Sequence, residues 1–369
     1  QGGMSLRKTR LFGAFYEKIG EFEKAGALYN GYIDQYGSAQ FLQKALERVE
    51  SKSGSTLATM NASQGAAEAL FDLTGSLRQQ NAMETALVLS HIGLHMRPDF
   101  STLKLIAGGI LEGIERYDSA QKIYEKISPS SDYNWDARLR ITTILDDQGQ
   151  SEEAIEILRQ MAEEKPNAPS PMIDIGDIMR RLDRFDEAVE AYDAAFARLE
   201  NVTEGYWSLY YALGIALERV DNWPRAEESF KKALELRPDQ PYVLNYLAYS
   251  WVEKGLHLDE ASEMLRNARE QRPNDAYIID SVGWVHYQLG AYDNAVMDLE
   301  EAVKLLPQDP IVNDHLGDAY WQVGRKREAR FQWNRSLSLD PEPDTISIIE
   351  NKIKFGLEVP QAKTTGEDG

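Results

Sequence analysis

Residues 310–341 read PIVNDHLGDAYWQVGRKREARFQWNRSLSLDP, and this stretch decides the fold. Gly317 and Ala329 are small, which suits two helices whose backbones approach closely. Gly324 lies between them and can take the positive φ that ends a helix. Pro341 follows the second apolar segment, where its fixed φ and missing N–H stop a helix from continuing. The stretch therefore predicts a helix–turn–helix unit.

The unit is repeated along the chain, with alanine as its most regular mark. These alanines are Ala86, Ala120, Ala154, Ala188, Ala226, Ala261, Ala295 and Ala329, whose numbers differ successively by 34, 34, 34, 38, 35, 34 and 34. A proline follows six of them at one constant offset: Pro98, Pro166, Pro238, Pro273, Pro307 and Pro341. A period of about 34 residues is typical of a helical solenoid, in which each unit buries its apolar faces against its neighbours.

Several copies carry the same small, large and proline positions. They read Val282-Gly283, Ala295, Leu299, Ala302, Pro307; Leu213-Gly214, Ala226, Phe230, Ala233, Pro238; and Leu316-Gly317, Tyr320, Ala329, Trp333, Pro341. This pattern resembles the tetratricopeptide repeat (TPR). The resemblance implies an all-α fold, a TPR solenoid whose antiparallel helix pairs stack in a right-handed superhelix. Thr74 and Thr142 replace the glycine and Ser90 replaces the large residue, so we expect looser packing in those repeats.

The register divides the chain into six segments. We expect a cloning remnant at 1–5, a degenerate N-terminal TPR with an extra helix at 6–50, a flexible loop at 51–66, eight repeats at 67–341, a C-terminal capping helix at 342–356 and a disordered tail at 357–369. The eight repeats start near residues 67, 101, 135, 169, 207, 241, 276 and 310. Apolar residues at the start of the degenerate repeat would stay uncovered, so we expect the chain to be the C-terminal part of a longer TPR protein.

Composition excludes several functions. The net charge is −20 and the pI about 4.8, which argues against nucleic acid or an anionic lipid surface as partner. The chain has no cysteine, so disulfides, thiolate zinc sites and cysteine catalysis are excluded. No apolar run approaches the ~20 residues that cross a bilayer. We expect no direct membrane insertion.

Catalytic and metal signals are weak. His91 and His95 are four positions apart and could share a helix face, but no third metal ligand accompanies them. Asp314 precedes His315 as in part of a catalytic dyad, yet no nucleophile motif is present. We therefore predict a non-enzymatic protein without catalytic residues, cofactor or metal.

The better candidate site is the concave groove that, in the TPR family, the first helix of each repeat lines. Mapped onto this chain, the groove residues are Tyr211, Tyr242, Asn245, Tyr249, Tyr277, Asp280, Trp284, Tyr287, Asp314, Asp318 and Trp321. Aromatic residues are enriched at interfaces, and the aspartates could pair with basic residues of a partner. Some of these aromatics could instead pack between repeats. The acidic surface disfavours the Lys/Arg/Asn clamp by which some TPR domains hold a terminal carboxylate, and favours a basic, aromatic or extended peptide.

The resemblance implies a protein–protein interaction scaffold. The strings LNYLAYSWVEKG, DSVGWVHYQLG and NDHLGDAYWQVGRKREARFQW resemble exported multi-TPR proteins of proteobacteria, especially alphaproteobacteria. They imply a role in cell-envelope assembly and a periplasmic or outer-membrane-associated location, with the cytoplasm as the alternative. A second hypothesis is the regulatory or substrate-recruiting subunit of an enzyme complex. The oligomeric state stays open.

Overall fold

A computed structural model describes residues 6–36, 42–54 and 61–357. Within these ranges the chain forms 20 α-helices, one 3-10 turn at Glu204–Tyr206 and no strand, which confirms the all-α prediction. The expectations for 1–5, for the middle of the 51–66 loop and for the tail beyond 357 lie outside the described residues. The helices belong to two compact units, Gln1–Ile141 and Thr142–Gly369.

In its described residues, the first unit contains seven complete α-helices and the start of an eighth. They are α1 (Leu6–Lys18), α2 (Phe22–Tyr36), α3 (Gln43–Glu50), α4 (Ala62–Gln79), α5 (Met83–Met96), α6 (Ser101–Gly113), α7 (Tyr117–Tyr124) and α8 (Asn134–Asp147). Helices α1 and α2, α4 and α5, and α6 and α7 pack as pairs. Short turns make the partners of each pair antiparallel.

The second unit contains the remaining helices. They are α9 (Ser151–Glu164), α10 (Ser170–Arg181), α11 (Phe185–Phe196), α12 (Trp207–Arg219), α13 (Trp223–Leu236), α14 (Pro241–Glu253), α15 (Leu258–Gln271), α16 (Ala276–Gln288), α17 (Tyr292–Leu305), α18 (Pro310–Gln322), α19 (Lys326–Leu337) and α20 (Pro343–Phe355). Helices α10 to α19 form five consecutive pairs, and each pair also packs on the next. Helix α20 packs on α19.

A close approach between the two helices of a pair explains the glycine positions. A Cβ at Gly214 of α12 would lie 2.5 Å from the Phe230 ring of α13, so only glycine leaves room for that ring. The same spacing in sequence links a first-helix glycine to a large second-helix side chain in Gly13/Tyr29, Gly108/Tyr124, Gly176/Tyr192, Gly283/Leu299 and Gly317/Trp333. These large residues are buried. The repeated glycine is therefore a packing requirement of the pair.

The turns between paired helices share a backbone conformation. Gly324 has φ 83°, as its place between two helices predicts, and Gly290 has φ 77°. Asp183 and Asp221 adopt the same left-handed region at φ 57° and 59° without being glycine. Aspartate tolerates this region better than most residues, so the turn geometry persists where the glycine is lost.

Two sequence expectations need correction. The loop expected at 51–66 is too long, and the repeat expected near 67 starts earlier, because α4 begins at Ala62. Asn61 caps it, accepting a hydrogen bond from the Gln64 backbone at 2.8 Å while the Gln64 side chain accepts from the Asn61 backbone at 3.1 Å. This reciprocal cap stabilises a helix start. The looser packing expected in the repeats of Thr74, Ser90 and Thr142 stays a prediction, although all three side chains are buried.

Candidate functional site

The first helices α12, α14, α16 and α18 carry all of the predicted groove residues. Several of those side chains already contact other residues of this chain. His315 Nδ1 of α18 lies 3.0 Å from both carboxylate oxygens of Asp280 on α16. The His315 ring stacks on Trp284, with centroids 4.0 Å apart and planes at 14°. Asp280, Trp284 and His315 are all buried, at 5%, 9% and 6% exposure. Trp284 also donates from Nε1 to Glu253 of α14.

The carboxylates around His315 favour its protonated form. Burial disfavours the imidazolium and lowers the pKa of His315, but the carboxylates of Asp280, Asp314 and Asp318 outweigh that effect and raise it above its usual value. A nearby carboxylate stabilises the protonated ring. The site therefore favours a positive His315 that neutralises Asp280.

The two other predicted aspartates share one cation from the C-terminal helix. Lys352 of α20 donates to Asp314 Oδ2 at 2.6 Å and to Asp318 Oδ2 at 2.8 Å. Asp318 also accepts from Trp333 Nε1 at 2.8 Å. Burial and the charge of Asp314 raise the pKa of Asp318 to about 6, and Lys352 opposes that rise.

These pairings correct the expectation that the aspartates stand open for a basic partner. Asp280, Asp314 and Asp318 each face a cation of this chain in a neighbouring helix. The physical reason is burial, because a carboxylate removed from water is costly unless it is paired. Trp284 is likewise part of the packing between repeats rather than an open anchor.

Three further aromatics of the predicted set are partly covered. Tyr287 stacks on Trp284 at 4.7 Å and 3°, and its hydroxyl accepts from Gln322. Tyr211 packs edge-on against Tyr246 at 5.9 Å, and its burial raises its pKa to about 12. Trp321 lies under the cations of Lys326 and Arg330, at 4.9 and 5.1 Å from its centroid.

The most accessible predicted residues lie near the starts of their helices. Tyr242 is 40% exposed at the second position of α14, and Tyr277 is 59% exposed at the second position of α16. Ile311, at the same position of α18, is 52% exposed, and the sequence analysis missed it. Farther along α14, Asn245 and Tyr249 are half-buried. Tyr242, Tyr277 and Ile311 form what we call the exposed strip.

The histidines that the sequence singled out lie in two different settings. His315 pairs with Asp280 of the preceding first helix, not with its sequence neighbour Asp314. His91 and His95 are both exposed on α5. Across the described ranges, no three His, Asp or Glu side chains converge as a metal site would require.

Comparison with protein families agrees with the helix pairs and their packed glycines. Models described as tetratricopeptide repeat match residues 168–239 and 211–276, and one described as TPR repeat matches 283–324. The chain contains TPR repeats in residues 168–276 and 283–324. Its matched residues include Gly176, Gly214, Gly283 and Gly317, the glycines that accept a large side chain from the second helix.

Relatives of this chain include a TPR repeat-containing protein of Pseudomonas aeruginosa, 28% identical over 206 residues. That alignment covers 55% of this chain and 34% of the relative, so the chain spans about a third of the relative's length. The Cut9–Hcn1 hetero-tetramer of the APC/C matches at TM-score 0.56 and 18% identity, over 97% of this chain and 77% of that one. A TPR protein of Parabacteroides merdae matches at TM-score 0.48 and 13% identity, over 79% and 98%. The Cut9–Hcn1 likeness supports the fold alone.

Sequence reasoning missed two kinds of site residue. Ile311 could have been found, because it occupies the repeat position of Tyr242 and Tyr277. Lys352 could not have been assigned from the repeat, since it lies outside the repeating pattern and its pairing depends on how α20 packs. Among the described helices, none combines the length and apolar content needed to span a membrane.

Proposed function

We propose that this chain is a non-enzymatic scaffold that binds a protein or peptide segment along the first helices α12, α14, α16 and α18. The observation that carries the proposal is the exposed strip of Tyr242, Tyr277 and Ile311 at one repeat position on three successive first helices. Aromatic and apolar anchors of this kind contribute most of the binding energy at protein interfaces. The half-buried Tyr211 lies on α12, and the half-buried Asn245 and Tyr249 lie on α14. We include them in the proposed binding surface.

The internal ion pairs limit which contacts a partner can make. Because Asp280, Asp314 and Asp318 already face His315 and Lys352, the contacts available to a partner at the strip are apolar and aromatic. The net charge of −20 still acts at longer range. It favours a partner with basic residues flanking an apolar segment, mainly through faster association.

We place this scaffold in the cell envelope, in the periplasm or at the outer membrane. The support is the likeness of its last repeats to exported multi-TPR proteins. The absence of cysteine is compatible with that compartment. Fractionation of the native organism with antibody detection tests the location, and recovery with cytoplasmic markers contradicts it.

The test of binding starts from an affinity pull-down on the envelope fraction, followed by calorimetric titration of the captured protein. Tyr277→Ala and Tyr242→Ala remove exposed rings, so the fold should keep its stability while affinity falls about tenfold or more, or ~1.4 kcal/mol. Phe331→Ala is the matched control, because Phe331 is 67% exposed on the second helix α19. Equal affinities for all three variants contradict the assignment.

Trp284→Ala is a poor test of binding. Its ring is 9% exposed and stacks on His315, so its removal should cost several kcal/mol of folding stability. Any loss of affinity in that variant would mix folding with recognition. Raising the salt concentration should slow association with the wild type and leave the Tyr277→Ala effect unchanged, because screening acts on charges.

A further inference from the structure

A cavity of about 380 Å³ in the first unit is lined by residues of the first helices α4, α6 and α8. Its apolar walls are Leu105 and Ile106 of α6 and Leu139 of α8, all half-buried. The buried Tyr124 of α7 completes the apolar lining. Natural ligand pockets measure roughly 300–1,000 Å³ and combine apolar walls with a few polar groups. None of the predicted groove residues lines this cavity.

Gly109 of α6 leaves the cavity open. A Cβ at Gly109 would meet only the Tyr124 hydroxyl, at 3.8 Å, so packing does not require a glycine here. Glycine inside a helix is destabilising relative to alanine. Every later repeat carries a side chain at the corresponding position, and these residues are Thr143, Asp177, Ile215, Tyr249, Trp284 and Asp318. In the repeat of α6 and α7, the space is free for a side chain from another molecule.

The charged groups of the lining are two arginines and one carboxylate. Arg78 of α4 and Arg140 of α8 face the cavity together with Asp136 of α8, and all three residues are exposed. Arg140 lies 3.3 Å from Glu112 while its side chain stays 61% exposed, so N–H donors remain for a ligand. Arg78 has no ion-pair partner among the described residues. The cavity therefore offers guanidinium donors beside apolar walls.

The first unit does not share the acidity of the whole chain. Residues 1–141 contain 16 Lys and Arg and 16 Asp and Glu, so the net charge of −20 belongs entirely to residues 142–369. The net charge of this unit therefore does not repel an acidic ligand. Arginine suits such a ligand, because its planar guanidinium donates two parallel hydrogen bonds to one carboxylate.

We propose that the cavity at Gly109 binds an acidic peptide segment of a partner protein. The segment inserts one large apolar side chain between the walls of α6 and α8 and sets a neighbouring Glu or Asp against Arg78 or Arg140. Because these arginines are exposed, the cavity is open to solvent, as a side chain carried on a peptide requires. This chemistry is opposite to that proposed at the exposed strip, where basic residues flank the apolar segment.

Fluorescence polarisation of the full chain with labelled peptides tests the proposal. The probes are amides of Gly-Ser-Glu-X-Glu-Gly-Ser in which X is Phe, Leu or Met, so no terminal carboxylate is present. At least one probe should bind with a dissociation constant below about 1 mM. Replacing both Glu by Gln, or X by Ala, should weaken that binding about tenfold or more.

Two sets of variants locate the site. Gly109→Leu should abolish binding because its side chain fills the cavity, whereas Gly113→Leu, on the same helix with open space at its Cβ, should bind like the wild type. Arg78→Gln combined with Arg140→Gln should weaken binding of the Glu probe about tenfold and leave the Gln probe unchanged. Arg116→Gln, exposed between α6 and α7, is the control. All variants should keep the wild-type circular dichroism.

Three results overturn the proposal: no probe binds below about 1 mM, the Glu and Gln probes bind equally, or Gly109→Leu binds like Gly113→Leu. Binding that is lost in Tyr277→Ala and kept in Gly109→Leu places the peptide on the exposed strip and also refutes the cavity. Failure at the cavity leaves the proposed binding at the exposed strip unaffected, because the strip is tested by Tyr242→Ala and Tyr277→Ala.

Discussion

The repeat formed by α18 and α19 and the repeat formed by α4 and α5 fill the same two positions in opposite ways. In the first, Gly317 leaves room for Trp333, which is fully buried. In the second, Thr74 stands at the glycine position and Ser90 at the large position, and both are fully buried. A larger first-helix residue thus accompanies a smaller second-helix residue.

The same two repeats also satisfy their buried polar groups differently. Trp333 donates to Asp318, which in turn pairs with Lys352 from another helix. Thr74 and Ser90 donate to carbonyls one turn back in their own helices, each at 2.8 Å. The C-terminal repeat therefore depends on charges brought together by packing, whereas the repeat of α4 and α5 satisfies its hydroxyls locally.

The largest effect is expected from emptying the large position. Trp333→Ala removes a fully buried indole and leaves Asp318 without one donor, so it should cost roughly 3–5 kcal/mol of unfolding free energy. Ser90→Ala should cost less than about 1 kcal/mol, because the hydroxyl bonds only its own helix. Urea denaturation followed by circular dichroism measures both. Comparable losses for the two variants would contradict the contrast between the repeats.

Placing an aromatic residue at the large position of the α4–α5 repeat tests whether residues 74 and 90 share one volume. Ser90→Phe should overpack against Thr74 and cost about 3 kcal/mol. Adding Thr74→Gly restores the Gly/aromatic combination, so the double variant should be less destabilised than the sum of the single variants by at least about 1 kcal/mol. Additive losses would show that the two positions do not meet.

The repeated alanine should tolerate a larger side chain equally poorly in the repeat of α16 and α17 and in the repeat of α4 and α5. Ala295 and Ala86 are both fully buried, so Ala295→Leu and Ala86→Leu should each cost roughly 1–3 kcal/mol through overpacking. Thermal unfolding of the two variants measures this. A midpoint equal to the wild type for either variant would show that the packing register is wrong there.

The smallest expected effect is a pH dependence of stability, which His315 should cause and Ser90 should not. His315 binds its proton more tightly in the folded state, so its contribution is complete below the unfolded pKa of 6.5 and is lost as pH rises through the higher folded pKa. The stability advantage of the wild type over His315→Gln should therefore shrink above pH 6.5, by at most about 1.4 kcal/mol per pH unit. The difference between wild type and Ser90→Ala should not change with pH. Denaturation at several pH values checks both, and a constant His315→Gln difference would contradict the buried pairing.

The regular spacing of alanine, glycine and proline predicted the helix pairs, because each of these residue types meets a structural requirement within the pair. Gly214 is needed because Phe230 lies against it, and Gly324 because its φ is positive. The candidate site could be predicted only in part. Tyr242 and Tyr277 are exposed as an interface residue requires, whereas Trp284 and Asp280 lie on the same helices but are buried.

The sequence by itself determined the all-α fold and the repeat family of this protein, because a helix pair is encoded within about 34 neighbouring residues. It did not determine which polar side chains stay open to a partner. That depended on contacts between residues a full repeat or more apart: His315 with Asp280, and Lys352 with Asp314 and Asp318. Burial makes an unpaired charge costly, and only the packing of one first helix on the next, and of α20 beyond the last repeat, supplies the partner.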